Sequence, residues 1–160
     1  MLKHLALTLG ILLLPATSAA KPVLGAAIGV GEYMNLPGPP VHAGVYASGG
    51  LWAAFDIRKV TITPQLAVEV APETRQWGFI PTLTADFPVH ARVGIDLIAM
   101  LMHNQTDSDW DHAELLLGGG PGLSIYLGSW TLQPNVIVLY NFMTSGAALF
   151  PGMGLARTLD

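Results

Sequence analysis

Side chains alternate between apolar and small or polar, two residues at a time, almost without a break from Val45 to Phe142. Val60, Ile62, Pro64, Leu66, Val68 and Val70 interleave with Thr61, Thr63, Gln65, Ala67 and Glu69. Trp77, Phe79, Pro81, Leu83, Ala85, Phe87 and Val89 interleave with Gly78, Ile80, Thr82, Thr84, Asp86 and Pro88. Successive side chains of a strand point to opposite faces, so the pattern predicts strands with one apolar face. Six such segments begin at Val45, Val60, Trp77, Val93, Leu115 and Trp130. A Gly- and Ala-rich segment, Val23 to Met34, precedes them, and Leu149 to Leu159 follows. The expectation is eight strands of about eleven residues. With 18 Gly and 12 Pro in 160 residues, a helical bundle is disfavoured.

The connections alternate in length. Arg58-Lys59, His90-Ala91-Arg92 and Gly128-Ser129 are turn-sized, whereas Asn35 to Ala43, Ala71 to Gln76, His103 to His112 and Met143 to Ala148 are longer. Alternate connections of an up-and-down meander share an end, so one end carries tight turns and the other carries loops. The residues opposite the apolar ones decide which face is outside. A soluble exterior carries charge at about a quarter to a third of its positions. Here charged residues are only 11% of the chain. The non-apolar face is Gly, Ser, Thr, Ala, Asn and Gln with scattered Asp56, Glu69, Asp86 and Asp96. Small polar side chains suit the crowded interior of a narrow barrel.

Aromatic residues on the apolar face gather near both strand ends. Trp77, Phe79, Tyr140 and Phe142 lie towards the loops, and Phe55, Phe87 and Trp130 towards the turns. Amphipathic rings favour the depth of lipid headgroups. The sequence therefore predicts an all-β, eight-stranded antiparallel up-and-down transmembrane β-barrel. The opposite reading, a soluble periplasmic or secreted lipocalin-like barrel binding an apolar ligand, turns the same face inward. Pro64, Pro81, Pro121, Pro134 and Pro151 all fall on the apolar face, although proline is normally excluded from central strands.

The chain opens with Lys3 and His4, the apolar run Leu5 to Leu14, Pro15, and the small residues Ala16 to Ala20. A basic start, a short apolar core and small residues predict a secretory signal peptide over 1–20, cleaved before Lys21 or one residue earlier. The apolar run is half the length of about twenty residues that a membrane helix requires. Residues 21–160 are then the barrel domain. There is no cysteine, hence no disulfide, thiol nucleophile or lipoprotein anchor. A net charge of −4 leaves no basic footprint for nucleic acid.

With export signal, alternating strands, unequal connections and aromatic girdles, the chain resembles the small outer-membrane β-barrels of Gram-negative bacteria, with the architecture of the OmpA transmembrane domain and OmpX-like proteins. The resemblance covers nearly all of residues 21–160 and rests on pattern, so it carries over no functional residue. It implies an outer-membrane monomer surrounded by lipid, with short turns in the periplasm and loops outside. Such barrels usually end in an aromatic residue read by the assembly machinery; this chain departs from that with Arg157-Thr158-Leu159-Asp160.

Candidate chemistry is sparse. Asp107, Asp109 and Asp111 alternate in the polar stretch 103–112 and could offer oxygen ligands to a cation. The positions where an EF-hand needs Gly and Glu are occupied by His112 and Gly118, so it is not that motif. The same stretch is the expected contact for an extracellular partner, because loops on a rigid scaffold carry most recognition. A lipid-modifying enzyme would need a Ser, a His and a carboxylate together. Ser48, Ser124, His42, His90, His103, His112 and Asp111 are the inventory, and no motif ties them. The expectation is a non-enzymatic protein without cofactor or metal. The runs Gly118-Gly119-Gly120 and Gly25 to Gly31 lack the Gly-Lys-Ser/Thr of a phosphate loop. They predict close approach of strands. The lumenal carboxylates Glu69, Asp86 and Asp96 are expected in a watery, hydrogen-bonded interior too narrow for a wide channel.

Overall fold

A computed structural model of the chain describes residues 23–36, 44–72, 76–106, 109–142 and 145–159. It contains β1 (Val23–Leu36), β2 (Gly44–Ile57), β3 (Val60–Ala71), β4 (Gln76–His90), β5 (Val93–Thr106), β6 (Asp109–Leu127), β7 (Trp130–Asn141) and β8 (Gly146–Leu159). Each strand pairs antiparallel with its chain neighbour, and β1 pairs with β8 from Leu24↔Leu159 to Leu36↔Ala147, closing the barrel. Closure leaves no free sheet edge, which a lipid environment would penalise.

The strands are longer than the alternation suggests, from 12 residues in β3 to 19 in β6. Backbone pairing does not depend on apolar side chains, so it continues past the point where the pattern fades. The stretch 103–112, expected as a loop, is largely an extension of β5 and β6. Their pairing reaches Thr106↔Asp109, with a register shift between Asn104 and Thr106. The three tight turns fall at 58–59, 91–92 and 128–129. Arg58 and Gly128 occupy their first positions with φ of 62° and 73°, as a turn matched to strand twist requires.

The outward face is the apolar one. Leu51, Leu97 and Leu66 are 67%, 62% and 57% exposed. Two aromatic pairs at the loop end, Trp77–Phe79 and Tyr140–Phe142, meet edge to face with centroids 5.7 and 5.2 Å apart. At the turn end Arg157 lies over Trp130, 5.3 Å from its centroid. A soluble barrel needs a polar exterior, so this surface contradicts the lipocalin-like alternative.

The in-register prolines have a physical account. In an antiparallel pair the N–H and C=O of one residue face the same neighbour, so proline removes a bond on one side only. Between β2 and β3 the pairing skips from Trp52↔Gln65 to Phe55↔Ile62, across Pro64, while its pairing with β4 is continuous. Pro81 interrupts only the β4–β5 ladder. Pro121 and Pro134 each interrupt β6–β7 but keep their other ladders, and Pro151 interrupts β1–β8 but stays paired to β7. The Gly118-Gly119-Gly120 run serves close approach, as expected. A Cβ at Gly118 or Gly120 would collide with the carbonyl oxygens of Val138 or Val136.

The interior corrects one expectation. It is not uniformly small and polar: Tyr46, Ile80, Met102, Leu116, Ile137, Leu139 and Phe150 form a buried apolar cluster. Met102 and Leu116, near the loop ends of β5 and β6, are fully buried. Apolar side chains thus predominate in the lumen towards the loops, where Glu69 and Asn141 are also buried, while Asp86, Asp96 and Ser124 are buried towards the turns.

Candidate functional site

The polar half of the lumen is the candidate site, and β4, β5 and β6 build its wall. Parity places Asp86 of β4 directly opposite Asp96 of β5, with Gly122 of β6 beyond it. Like charges facing each other across a strand pair are destabilising, and burial raises that cost. Both are buried: Asp96 is 1% exposed and Asp86 8%. Each is held by a hydroxyl from β6. Ser124 Oγ lies 3.1 and 2.9 Å from the two carboxylate oxygens of Asp96. Tyr126 donates its phenolic O–H to Asp86 Oδ2. Gly94, between them, provides the room, since a Cβ there would meet Asp86 Oδ1 and the Tyr126 hydroxyl.

A cavity of about 330 Å³ lies against this wall, lined also by Trp52, Thr61, Thr63, Thr131 and Gln133. Among its described lining residues there is no Lys or Arg; besides Asp86 the ionisable side chains are the Tyr126 phenol and His90, exposed at the end of β4. Asp86 Oδ1 and Trp52 Nε1 are buried without a hydrogen-bond partner among the described residues. Gln65, Thr84 and Gln133 line both this cavity and a smaller one of about 90 Å³ deeper in the barrel, so they form a waist between the two. Glu69, 1% exposed, lines the inner cavity beside Ser48 and Asn135. Neither of its carboxylate oxygens has a hydrogen-bond partner among the described residues. Members of the apolar cluster flank it on both sides along the strands, Ala67 and Ile80 nearer the turns and Tyr46 and Ala71 nearer the loops.

The sequence inventory is scattered by this geometry. Ser124 is engaged with Asp96 near the turns, His90 is exposed there, and Ser48 lines the inner cavity. His103 belongs to β5 near the loops. No Ser–His hydrogen bond joins them among the described residues. His42 and Asp107 lie outside the described residues, as do the side chains of Asp109, Asp111 and His112. The described residues contain no group of three or more His, Asp or Glu able to hold a metal. Sequence reasoning missed the apolar cluster and the role of Tyr126 and Trp52. The available signal was apolar residues on both faces near the loop ends of β5, β6 and β7, as at Met102, Leu116 and Leu139.

A closed eight-stranded meander with an apolar belt outside and buried carboxylates inside is a transmembrane β-barrel. Its fold is that of the small outer-membrane barrels. Neisserial surface protein A matches with a TM-score of 0.60 at 14% identity, over 89% of this chain and 99% of that one. Ail, the attachment invasion locus protein of Yersinia pestis solved with the heparin analogue sucrose octasulfate, matches with a TM-score of 0.56 at 7% identity, over 86% and 97%. A de novo designed transmembrane β-barrel matches with a TM-score of 0.59 at 13% identity, over 88% and 98%. No protein-family model and no curated protein matches the chain.

Proposed function

We propose that the chain is exported by residues 1–20 to the outer membrane of a Gram-negative bacterium. There it stands as a lipid-surrounded monomer with a non-enzymatic structural and surface-interaction role. The observation that carries this reading is the inverted polarity of the barrel: Leu51, Leu66 and Leu97 lie bare on the outside while Glu69 and Asp96 are buried within. Such a surface is stable in hydrocarbon and aggregates in water.

The turns at 58–59, 91–92 and 128–129 face the periplasm, and the β5–β6 hairpin faces outward. That hairpin is the recognition element. Ail, which shares the fold, is solved bound to a heparin analogue, which supports an interaction role for this kind of scaffold. The hairpin here carries Asp107, Asp109, Asp111 and Glu114, so it would repel a polysulfate and favour a basic partner.

Epitope tags at Ser108 and Ser129 test the topology. The Ser108 tag is labelled on intact cells and the Ser129 tag only after permeabilisation. Labelling of Ser129 alone on intact cells overturns the orientation. Recovery of the protein in the soluble periplasm without detergent overturns the membrane assignment.

A further inference from the structure

We infer that the turn end of the barrel binds the headgroup phosphate of an anionic phospholipid, with Arg157 at the centre of the site. Arg157 has the outward parity of β8, and its guanidinium lies 5.3 Å from the centroid of the Trp130 ring. The neighbours that share this outward face are apolar: Trp130 and Leu132 on β7, Leu155 and Leu159 on β8, Leu24 and Ala26 on β1. The guanidinium makes no ion pair among the described residues. A charge beside hydrocarbon is costly unless it is paired. Its height shows where the pairing group lies. Thr158 donates its backbone N–H to the Ser129 carbonyl at 3.0 Å, which sets Arg157 beside the β6–β7 turn. Trp130, the first residue after that turn, belongs at headgroup depth.

The charge distribution selects the partner. A guanidinium stacked on an aromatic ring keeps its N–H edge free for two parallel bonds to one phosphate. Around the same end Arg58, Lys59 and Arg92 are exposed in the turns. With Arg157 they are all the Lys and Arg among the described residues. Asp56 is the exposed acid beside them, and its carboxylate accepts the Thr61 hydroxyl at 2.7 Å. The sequence at the opposite end carries Glu32, Glu73, Asp107, Asp109, Asp111 and Glu114 against Arg75. Such a dipole draws anionic headgroups to the turn end and repels them from the loops. Two-residue turns offer little of the area that a protein partner needs, whereas lipid already surrounds Trp130 and Leu159. The inference rests on the membrane reading above, in which the turns meet the phospholipids of the periplasmic leaflet.

The test uses the full barrel refolded into phosphatidylcholine vesicles that carry equal mole fractions of brominated phosphatidylglycerol or brominated phosphatidylcholine. Bromine quenches indole fluorescence on contact. Trp130→Phe and Trp77→Phe, each subtracted from wild type, give the quenching of the turn-end and loop-end indoles. Trp130 should meet phosphatidylglycerol at least about threefold more often than phosphatidylcholine, as several cations at an anionic surface imply, and Trp77 should show no such preference. Sodium chloride should weaken the preference, and inorganic phosphate at the same ionic strength should weaken it no further. Arg157→Gln should remove most of it, and Arg157→Lys should retain part. Heat-modifiability on gels verifies that each variant folds. If a tryptophan variant does not, total quenching of wild type against Arg157→Gln and Arg157→Lys decides. Equal quenching of Trp130 by the two lipids, an equal preference at Trp77, or an unchanged preference in Arg157→Gln overturns the proposal. Displacement by inorganic phosphate beyond that by sodium chloride assigns the site to a free anion and overturns it equally. Absent quenching of both indoles by either lipid overturns the membrane reading itself, and the proposal with it.

Discussion

Arginine placed at two adjacent positions of β3 should have unequal consequences. Leu66 is 57% exposed and sits within the outward apolar belt, opposite Leu51 of β2 and Pro81 of β4. A guanidinium there would face hydrocarbon, at a cost of about 2–4 kcal/mol near the bilayer midplane. Gln65 lies one residue away and points into the lumen at the waist between the two cavities. An arginine there can extend into about 330 Å³ of polar space that already holds Asp86. Overpacking at the waist costs about 1–3 kcal/mol, and the new ion pair offsets part of it. Leu66→Arg should therefore be the more destabilised of the two. Urea unfolding of each barrel refolded into phosphatidylcholine vesicles measures the difference, with heat-modifiability reporting the folded fraction. A silent Leu66→Arg beside a Gln65→Arg that cannot assemble would refute the assignment of faces.

The apolar cluster should seal the lumen, so the wild-type barrel should pass no measurable current in a planar bilayer. Leu116→Ala and Leu139→Ala should each lose about 2–5 kcal/mol in the same unfolding assay, as fully buried leucines do; unchanged stability would show that the cluster is not packed. Pro121→Ala should restore a donor towards β7 and gain about 1 kcal/mol, with the new amide protected in hydrogen exchange; a freely exchanging amide would contradict the one-sided account of the prolines. Ser124→Ala should cost about 1–3 kcal/mol by stripping Asp96 of its hydroxyl, and stability equal to wild type would remove that hydrogen bond from the account.

Much of the architecture was legible because a strand with one face in lipid must write its period into the sequence. Leu66, Val68 and Val70 stood out against Gln65, Ala67 and Glu69, and the structure puts the first set outside and the second inside. The turns were legible because two-residue connections leave little choice of register. The lumen was less so. Leu116 and Leu139 occupy inward parity yet are apolar, and only the barrel's closure, which brings β5, β6 and β7 around a common interior, shows that they fill it. The Asp86–Tyr126 contact spans 40 residues of sequence and arises from register alone. The prolines could not be explained residue by residue, because the cause lies in which neighbour each missing N–H would face.

The central claim is that alternate residues of each strand face lipid. The chain has no cysteine, so single cysteines placed from Gln65 to Val70 can each carry a spin label. In lipid vesicles, labels at 66, 68 and 70 should collide strongly with oxygen, which concentrates in hydrocarbon, and weakly with a water-soluble nickel chelate. Labels at 65, 67 and 69 should be poorly accessible to oxygen. Period-two accessibility in that phase is the predicted result. The opposite phase, or strong nickel contact at 66, 68 and 70, would contradict a membrane-spanning barrel with its apolar face outward.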